Sequence, residues 1–323
     1  MNAAATLLAR AEDYLAERRR LGYGLRASAY AIRSFASYID DLGYEGPLTV
    51  DLMAAWARRV PGNRGHPTQC WARRLKRLRS FARWMQQFDP CTEVPDDSIF
   101  GRVGERLTPH IYTEQEVIDL LDAARRLDPP LRGATYEALF GLIAATGLRV
   151  SEAVHLLDAD VDLKSGMLTV RQTKFRKSRH VALHPSATTA LRRYRRQRDL
   201  HIALTAHTPF FVSTRGRCLG TALSLRQVHR VFAQLRDQLG WVNRGAHAEI
   251  RIHDLRHSFI VTRVLRWHAE GVDIDQAMLA LSTYVGHAMV TNTYWYLTGV
   301  PELMTLAASQ FEPLPASAEV DHA

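Results

Sequence analysis

A segment without hydrophobic periodicity divides the chain, and this division constrains the fold more than any other feature. From Pro90 to Gly104 the sequence collects prolines, glycines and acidic residues, a composition typical of a linker. A chain of 323 residues can bury one large core or two modest ones, and the break favours two. We predict one domain at residues 1–100, a linker at 101–112, a second domain at 113–311 and a flexible acidic tail at 312–323.

The first domain is predicted to be all-helical. Its hydrophobic residues recur at spacings of three and four in four segments: Ala5 to Leu21, Ala27 to Leu42, Val50 to Arg59 and Gln69 to Met85. The glycines of Gly22-Tyr23-Gly24 stop the first helix before the second begins. These patterns predict a four-helix unit.

The second domain is predicted to be mostly helical with a few strands. Thr113 precedes Glu114 and Glu116, which is the pattern of an N-cap that opens a helix ending near Leu127. Another helix is expected from Arg132 to Ala145. Short strands around turns are expected at Val161 to Leu163, Met167 to Val170 and His180 to Leu183. The fold class is therefore mainly α with a small β-sheet.

The net charge of +9 favours a polyanionic partner, and the charge is unevenly distributed. Between Asp51 and Asp89 there are nine lysines and arginines and no acidic residue. The helix predicted over Gln69 to Met85 buries one face and leaves basic residues on the other: Arg73, Lys76, Arg77 and Arg83. Because an ordinary solvated face mixes both signs of charge, we predict that these four side chains contact nucleic acid.

The sequence indicates neither a membrane protein nor an exported one. No hydrophobic run approaches the roughly 20 residues of a membrane span, and the N-terminus lacks the layout of a signal peptide. Cys70, Cys91 and Cys218 match neither a metal-binding nor a disulfide pattern. We therefore expect a cytoplasmic protein without a metal ion or cofactor, which would be nucleoid-associated if its polyanionic partner is DNA.

Five short elements carry residues suited to phosphodiester chemistry. They are Thr146-Gly147-Leu148-Arg149-Val150-Ser151-Glu152, Lys174 on a predicted hairpin, His253-Asp254-Leu255-Arg256-His257, Gly286-His287, and Tyr296 nine residues later. The transition state at a phosphodiester gains negative charge, so a site built without metal needs fixed cations such as Arg149 and Arg256. We expect Gly147 to end one helix, Ser151 to cap the next, and Glu152 to orient Arg149.

These elements, in this order, resemble the tyrosine recombinases of the phage-integrase family. The resemblance runs from Tyr112 to Gln310, and more loosely the N-terminal helices resemble the family's core-binding domain. It implies a helical core-binding domain, an α+β catalytic domain, and a DNA recombinase that cuts and rejoins DNA through a 3′-phosphotyrosine. The implied catalytic residues are Arg149, Lys174, His253, Arg256, His287 and Tyr296.

The resemblance also assigns roles. Tyr296 attacks the phosphate and Lys174 protonates the leaving oxygen, with Tyr294 and Lys177 as the alternatives. His253 assists proton transfer and His287 hydrogen-bonds the phosphate. His257 is interpreted as structural, because no glutamate stands between it and His253 to make a metalloprotease motif.

The implied partners are duplex DNA with inverted-repeat core sites, a tetramer of the chain on paired sites, and accessory recombinases or DNA-bending proteins. A mobile genetic element is the expected context. Three alternatives remain open: a type IB topoisomerase, a catalytically idle DNA-binding protein, and a metal-dependent nuclease or transposase, which would need clustered carboxylates.

Overall fold

The computed structural model describes most of the chain, and within that part it has twelve α-helices and three strands. The described residues are 6–59, 67–104, 106–171, 178–203, 205, 207–287, 289–299 and 303. They form two compact units, one reaching to Gly104 and the other beginning at Arg106. The expected class, mainly α with a small β-sheet, is confirmed.

The first unit contains four helices, as the periodicity predicts. They are α1 (Leu7–Arg20), α2 (Arg26–Asp41), α3 (Val50–Arg58) and α4 (Pro67–Met85). The hydroxyls of Thr6 and Thr49 cap α1 and α3 by accepting hydrogen bonds from backbone N–H groups. A buried aromatic core holds the four helices together: Tyr14, Phe35, Trp56 and Phe81.

The second unit contains eight helices in its described part. They are α5 (Glu114–Arg125), α6 (Pro130–Thr146), α7 (Val150–Val154), α8 (Pro185–Asp199), α9 (Leu225–Leu239), α10 (Asp254–Ala269), α11 (Ile274–Val285) and α12 (Thr291–Gly299). The predicted cap of α5 is confirmed, since Thr113 and Glu116 form a reciprocal capping box. Helix α6 is buried on most sides and forms the centre of this unit.

The sheet is small, antiparallel and ordered as in the sequence. Its strands are β1 (Val161–Asp162), β2 (Met167–Val170) and β3 (Arg179–Ala182). Leu168 pairs with Val181, and Val170 pairs with Arg179. The predicted hairpin is therefore present, although Lys174 and Lys177 lie outside the described residues.

Two hydrophobic clusters stabilise the second unit. The larger one surrounds α6 and the sheet. The smaller one joins α10, α11 and α12 through buried residues that include Ile260, Leu281, Val285 and Tyr296. Tyr296 is thus part of a packed core. None of the helices in the described ranges has the length and hydrophobicity needed to span a lipid bilayer.

Candidate active site

The corner between α6 and α7 positions Arg149. Gly147 ends α6 with φ of 63°, as predicted, and a Cβ there would lie 2.6 Å from the ring of Phe259. The prediction that Ser151 caps the next helix is wrong. Helix α7 begins two residues earlier than that cap implies, at Val150, and its N-cap is Arg149, whose backbone N–H donates to Glu152 Oε2 at 3.0 Å.

Glu152 orients Arg149, as expected, and it also binds a second arginine. Arg149 Nη1 donates to Glu152 Oε1 at 2.8 Å. Arg179, the first residue of β3, donates to the same carboxylate through Nη1 at 3.1 Å and Nη2 at 2.9 Å. Burial raises the pKa of Glu152. The hydrogen bonds and charges of Arg179 and Arg149 lower this pKa by more than burial raises it, so the net shift is downward. The carboxylate is therefore ionised and joins two cations.

The C-terminal end of α11 closes the same group of contacts. Gly286 ends the helix with φ of 70°, and its carbonyl accepts a hydrogen bond from Arg149 Nη2 at 2.9 Å. Arg179 Nε donates to the carbonyl of Tyr284 at 2.8 Å. A Cβ at Gly286 would lie 2.6 Å from Arg179 Nη1, so a side chain there would displace this guanidinium, and the positive φ also favours glycine.

Arg256 is almost fully buried, at 1% exposure, and one of its donors is unused. Its Nη1 donates to the carbonyl of Gly147 at 2.7 Å, whereas its buried Nη2 has no hydrogen-bond partner among the described atoms. Burial, followed by the charge of Arg149, lowers the pKa of Arg256 to about 10. The side chain still carries its charge at neutral pH, so the site presents a buried cationic donor to an anion. We call Arg149, Arg179 and Arg256 the arginine cluster.

Tyr296 lies in the core at 2% exposure, with its hydroxyl 2.6 Å from His257 Nδ1. Burial raises the pKa of Tyr296 to about 12, although the charges of Arg256, Arg106 and Arg149 act in the opposite direction. The hydroxyl of Tyr294 instead donates to Asp275 on α11 at 3.3 Å. Tyr296 is therefore the tyrosine whose hydroxyl contacts α10, the helix that carries Arg256.

Three histidines lie in this part of the site, and all three are neutral at pH 7. Burial is the main cause in each case. It lowers the pKa of His253 to about 4, that of His257 to about 2 and that of His287 to about 3, and nearby arginines add to the effect. His287 Nδ1 contacts Thr293 Oγ1 at 2.7 Å, and its ring lies parallel to that of Tyr296 at 6.5 Å.

The second unit thus brings together five of the six predicted catalytic residues: Arg149, His253, Arg256, His287 and Tyr296. The sixth, Lys174, lies outside the described residues. Two contacts were missed by the sequence interpretation, those of Arg179 and of His257. In the described ranges no group of three or more His, Cys, Asp or Glu residues is placed to hold a metal ion.

Helix α4 of the first unit carries the predicted DNA-contacting residues on its solvent side. Leu75, Leu78 and Phe81 are buried. Arg73, Lys76 and Arg83 are exposed and Arg77 is half-buried. We call these four cations the basic face of α4. Within the described part of the chain none of them forms an ion pair, whereas Arg79 on the same helix pairs with Asp97 at 2.6 Å.

Comparison with known proteins identifies the family. Residues 111–300 match the model of the phage integrase family. The chain is 37% identical to the Sinorhizobium fredii protein y4rB, named as an integrase or recombinase, over 93% of this chain and 95% of that protein. It is 29% identical to the tyrosine recombinase XerC of Chlamydia trachomatis, over 72% of this chain and 67% of that protein. The chain belongs to the phage integrase family. Its enzyme class is the tyrosine-type site-specific DNA recombinases.

Solved structures share the fold. The Tn1549 transposon integrase in complex with transposon right end DNA has a TM-score of 0.65 at 15% identity, covering 94% of this chain and 99% of that one. The recombinase XerH bound to its difH substrate has a TM-score of 0.61 at 19% identity, covering 90% and 80%. These identities are low, so the two structures support the fold alone.

Proposed function

We propose that this recombinase cuts and rejoins DNA through a 3′-phosphotyrosine on Tyr296, without a metal ion or ATP, in the service of a mobile genetic element. The observation that carries the proposal is the buried guanidinium of Arg256, whose Nη2 has no partner among the described atoms. Leaving a buried charged donor unpaired is costly, and a phosphate oxygen supplies the missing acceptor.

In this mechanism Arg149 and Arg256 neutralise the scissile phosphate and stabilise the additional charge of the transition state. Tyr296 attacks phosphorus, and the 5′-oxygen leaves with a proton from Lys174. His287 donates a hydrogen bond to the phosphate. The covalent phosphotyrosine retains the energy of the broken bond, so the 5′-hydroxyl of a new strand rejoins it without ATP.

The proposed substrate is duplex DNA with inverted-repeat core sites, held in part by the basic face of α4. The charges of that face support this assignment, because they form no ion pair within the described residues and unpaired cations can bind phosphates. A tetramer on paired sites, with accessory recombinases or DNA-bending proteins, is the proposed assembly. It follows from the family resemblance and from the helical spacing after Tyr296, most of which lies outside the described residues.

The mobile-element role is supported by the ranking of the relatives. The chain is more similar, and over more of its length, to a protein named as an integrase or recombinase than to XerC of Chlamydia trachomatis.

The test is covalent trapping on nicked duplexes that carry the DNA flanking the gene, in EDTA, with separation on a denaturing gel. We expect a protein-DNA adduct with the wild type and none with Tyr296→Phe. The matched control is Tyr294→Phe, two residues before Tyr296, and it is expected to form the adduct. An adduct that survives Tyr296→Phe contradicts the assignment of the nucleophile. Strand cleavage that requires a divalent metal ion and leaves no adduct contradicts the metal-free mechanism and favours the nuclease alternative. Relaxation of supercoiled DNA without any preferred site favours the topoisomerase alternative.

A further inference from the structure

The hydroxyl of Tyr296 has a partner in this site to which the family resemblance assigned no part in the reaction. His257 lies one helical turn after His253 on α10, and its Nδ1 is 2.6 Å from Tyr296 Oη. Within the described residues this is the hydrogen bond that the hydroxyl makes. The contact joins α10 to α12 and lies beside the hydrophobic cluster that buries the tyrosine ring.

The direction of this hydrogen bond follows from the two ionisation states. Burial, followed by the neighbouring His253, Arg251 and Arg256, lowers the pKa of His257 to about 2, so its ring is neutral. Burial raises the pKa of Tyr296 to about 12, so its hydroxyl keeps the proton. The phenol therefore donates, and Nδ1 is the unprotonated nitrogen, with its lone pair directed at the proton that must leave when the tyrosine attacks.

His253, the histidine expected to move this proton, is placed differently. Its ring is perpendicular to that of His257, with the ring centres 4.9 Å apart. Its side chain makes no hydrogen bond to Tyr296 in the described part of the chain. Geometry thus favours His257 over His253 as the group that touches the reacting oxygen.

We propose that His257 is the proton acceptor for Tyr296 in DNA cleavage and the proton donor to it in rejoining. This inference rests on the proposed function of Tyr296 as the nucleophile. Its support is the direct contact of Nδ1 with Oη, in a site where the tyrosine is closed off from bulk water at 2% exposure.

The proton inventory of the step balances. As the Oη–P bond forms, the proton of Tyr296 passes to His257 Nδ1, and the P–O5′ bond breaks while the 5′-oxygen takes a proton from Lys174. In rejoining, the attacking 5′-hydroxyl returns its proton to Lys174, and Tyr296 leaves with the proton held by His257. A bound phosphate brings negative charge next to Arg256, one of the cations that disfavour the protonated imidazole, so substrate binding makes His257 a stronger base.

The experiment measures single-turnover adduct formation on the trapping duplex with two variants of His257. His257→Asn keeps a hydrogen-bond acceptor near the position of Nδ1 but cannot take a proton. His257→Gly leaves space for imidazole added to the buffer. We expect His257→Asn to slow cleavage by about 10²-fold or more. We expect added imidazole to restore part of the cleavage rate of His257→Gly and not to change that of His257→Asn. The exposed His201→Asn is the matched control and is expected to cleave at the wild-type rate.

A substrate with sulfur in place of the 5′-bridging oxygen separates the base from the acid, because a thiolate leaves without being protonated. On this substrate Lys174→Ala is expected to recover, whereas His257→Asn stays slow. A wild-type rate for His257→Asn, or its full recovery on the sulfur substrate, overturns the inference while leaving the nucleophile in place. Absence of any adduct from the wild type on every duplex overturns the proposed function itself, and the inference with it.

Discussion

Two regions of this molecule are rich in cations and hold them in opposite ways. The basic face of α4 presents its charges to solvent, and none of its four side chains forms an ion pair within the described residues. The arginine cluster of the second unit is fixed by a carboxylate and three backbone carbonyls: Glu152, Gly147, Tyr284 and Gly286.

The difference separates affinity from catalysis. Exposed, flexible cations bind phosphates by releasing counterions, a term that depends on salt and hardly on exact position. Buried cations in a fixed geometry stabilise charge that develops at one point, which is what a transition state requires. The basic face of α4 should therefore govern binding, and the arginine cluster should govern the rate of cleavage.

The largest effect is expected at the arginine with the unused donor. Arg256→Lys keeps the charge, but a lysine cannot hold the carbonyl of Gly147 and a phosphate oxygen in the same planar arrangement. We expect single-turnover cleavage to fall by about 10²–10³-fold, with DNA affinity in a gel-shift assay close to that of the wild type. A parallel loss of affinity would mean that the buried cluster also drives binding, and would remove the contrast between the two regions.

A smaller loss is expected at Arg179, which acts through Glu152. Without its two hydrogen bonds to that carboxylate, Arg149 loses part of what fixes its position. A displacement of a catalytic group by about 1 Å can cost up to about 10²-fold in rate, so we expect Arg179→Ala to reduce cleavage by up to that factor without changing affinity. Single-turnover rates at saturating DNA check this.

The matched control is Arg193→Ala, which also removes an arginine paired with a glutamate. The side chain of Arg193, unlike that of Arg179, is 65% exposed. We expect it to leave cleavage unchanged, since exposed pairs contribute little. Combining Arg179→Ala with Arg149→Ala tests the positioning role. If the rate losses of the two single variants multiply independently, Arg179 does not act through Arg149.

The sequence predicted those parts of the site that depend on local pattern. Gly147 requires a positive φ at the end of α6, and Thr113 followed by Glu116 forms a capping box, so both could be assigned from a few neighbouring residues. The predicted cap at Ser151 was wrong by two residues, because the carboxylate of Glu152 accepts from the N–H of Arg149 and makes Arg149 the N-cap of α7.

The missed residues depend on contacts that are distant in sequence. Arg179 binds Glu152, 27 residues away, and the carbonyl of Tyr284, 105 residues away. His257 meets Tyr296 across 39 residues. A faint local signal existed in each case, since Arg179 begins a strand close in sequence to Lys174, and His257 follows His253 by one turn. Neither signal shows which distant side chain Arg179 or His257 contacts in the folded protein.

The buried histidines should also make the second unit sensitive to acid. His287 takes up a proton near pH 6.5 in the unfolded chain, but only near pH 3 in the folded one. Between these values the unfolded state binds more protons, so the free energy of unfolding falls as the pH falls. Between pH 6 and pH 5 we expect the free energy of unfolding, measured in urea, to fall by about 1 kcal/mol less for His287→Gln than for the wild type. Parallel losses would mean that the folded chain protonates His287 as readily as the unfolded one.

The smallest effect on the cleavage step is expected from the basic face of α4. Replacing Arg73 and Arg77 by alanine removes two side chains without ion pairs in the described structure, so the fold should be little affected. We expect weaker binding to all duplexes alike. In a plot of the logarithm of the binding constant against the logarithm of salt concentration, the slope should be smaller in magnitude by about 2. Single-turnover cleavage at saturating DNA should be unchanged.

The matched control for that pair is Arg19→Ala with Arg20→Ala, which removes two exposed cations from the end of α1 in the same unit. If the control reduces the slope equally, net charge alone governs binding and the basic face of α4 has no special role. If the Arg73 and Arg77 variant loses selectivity between duplexes while keeping its affinity, these side chains read bases, because phosphate contacts carry no sequence information directly. The first unit would then recognise the DNA sequence as well as bind DNA, and the basic face of α4 would determine specificity while the arginine cluster determines the rate of cleavage.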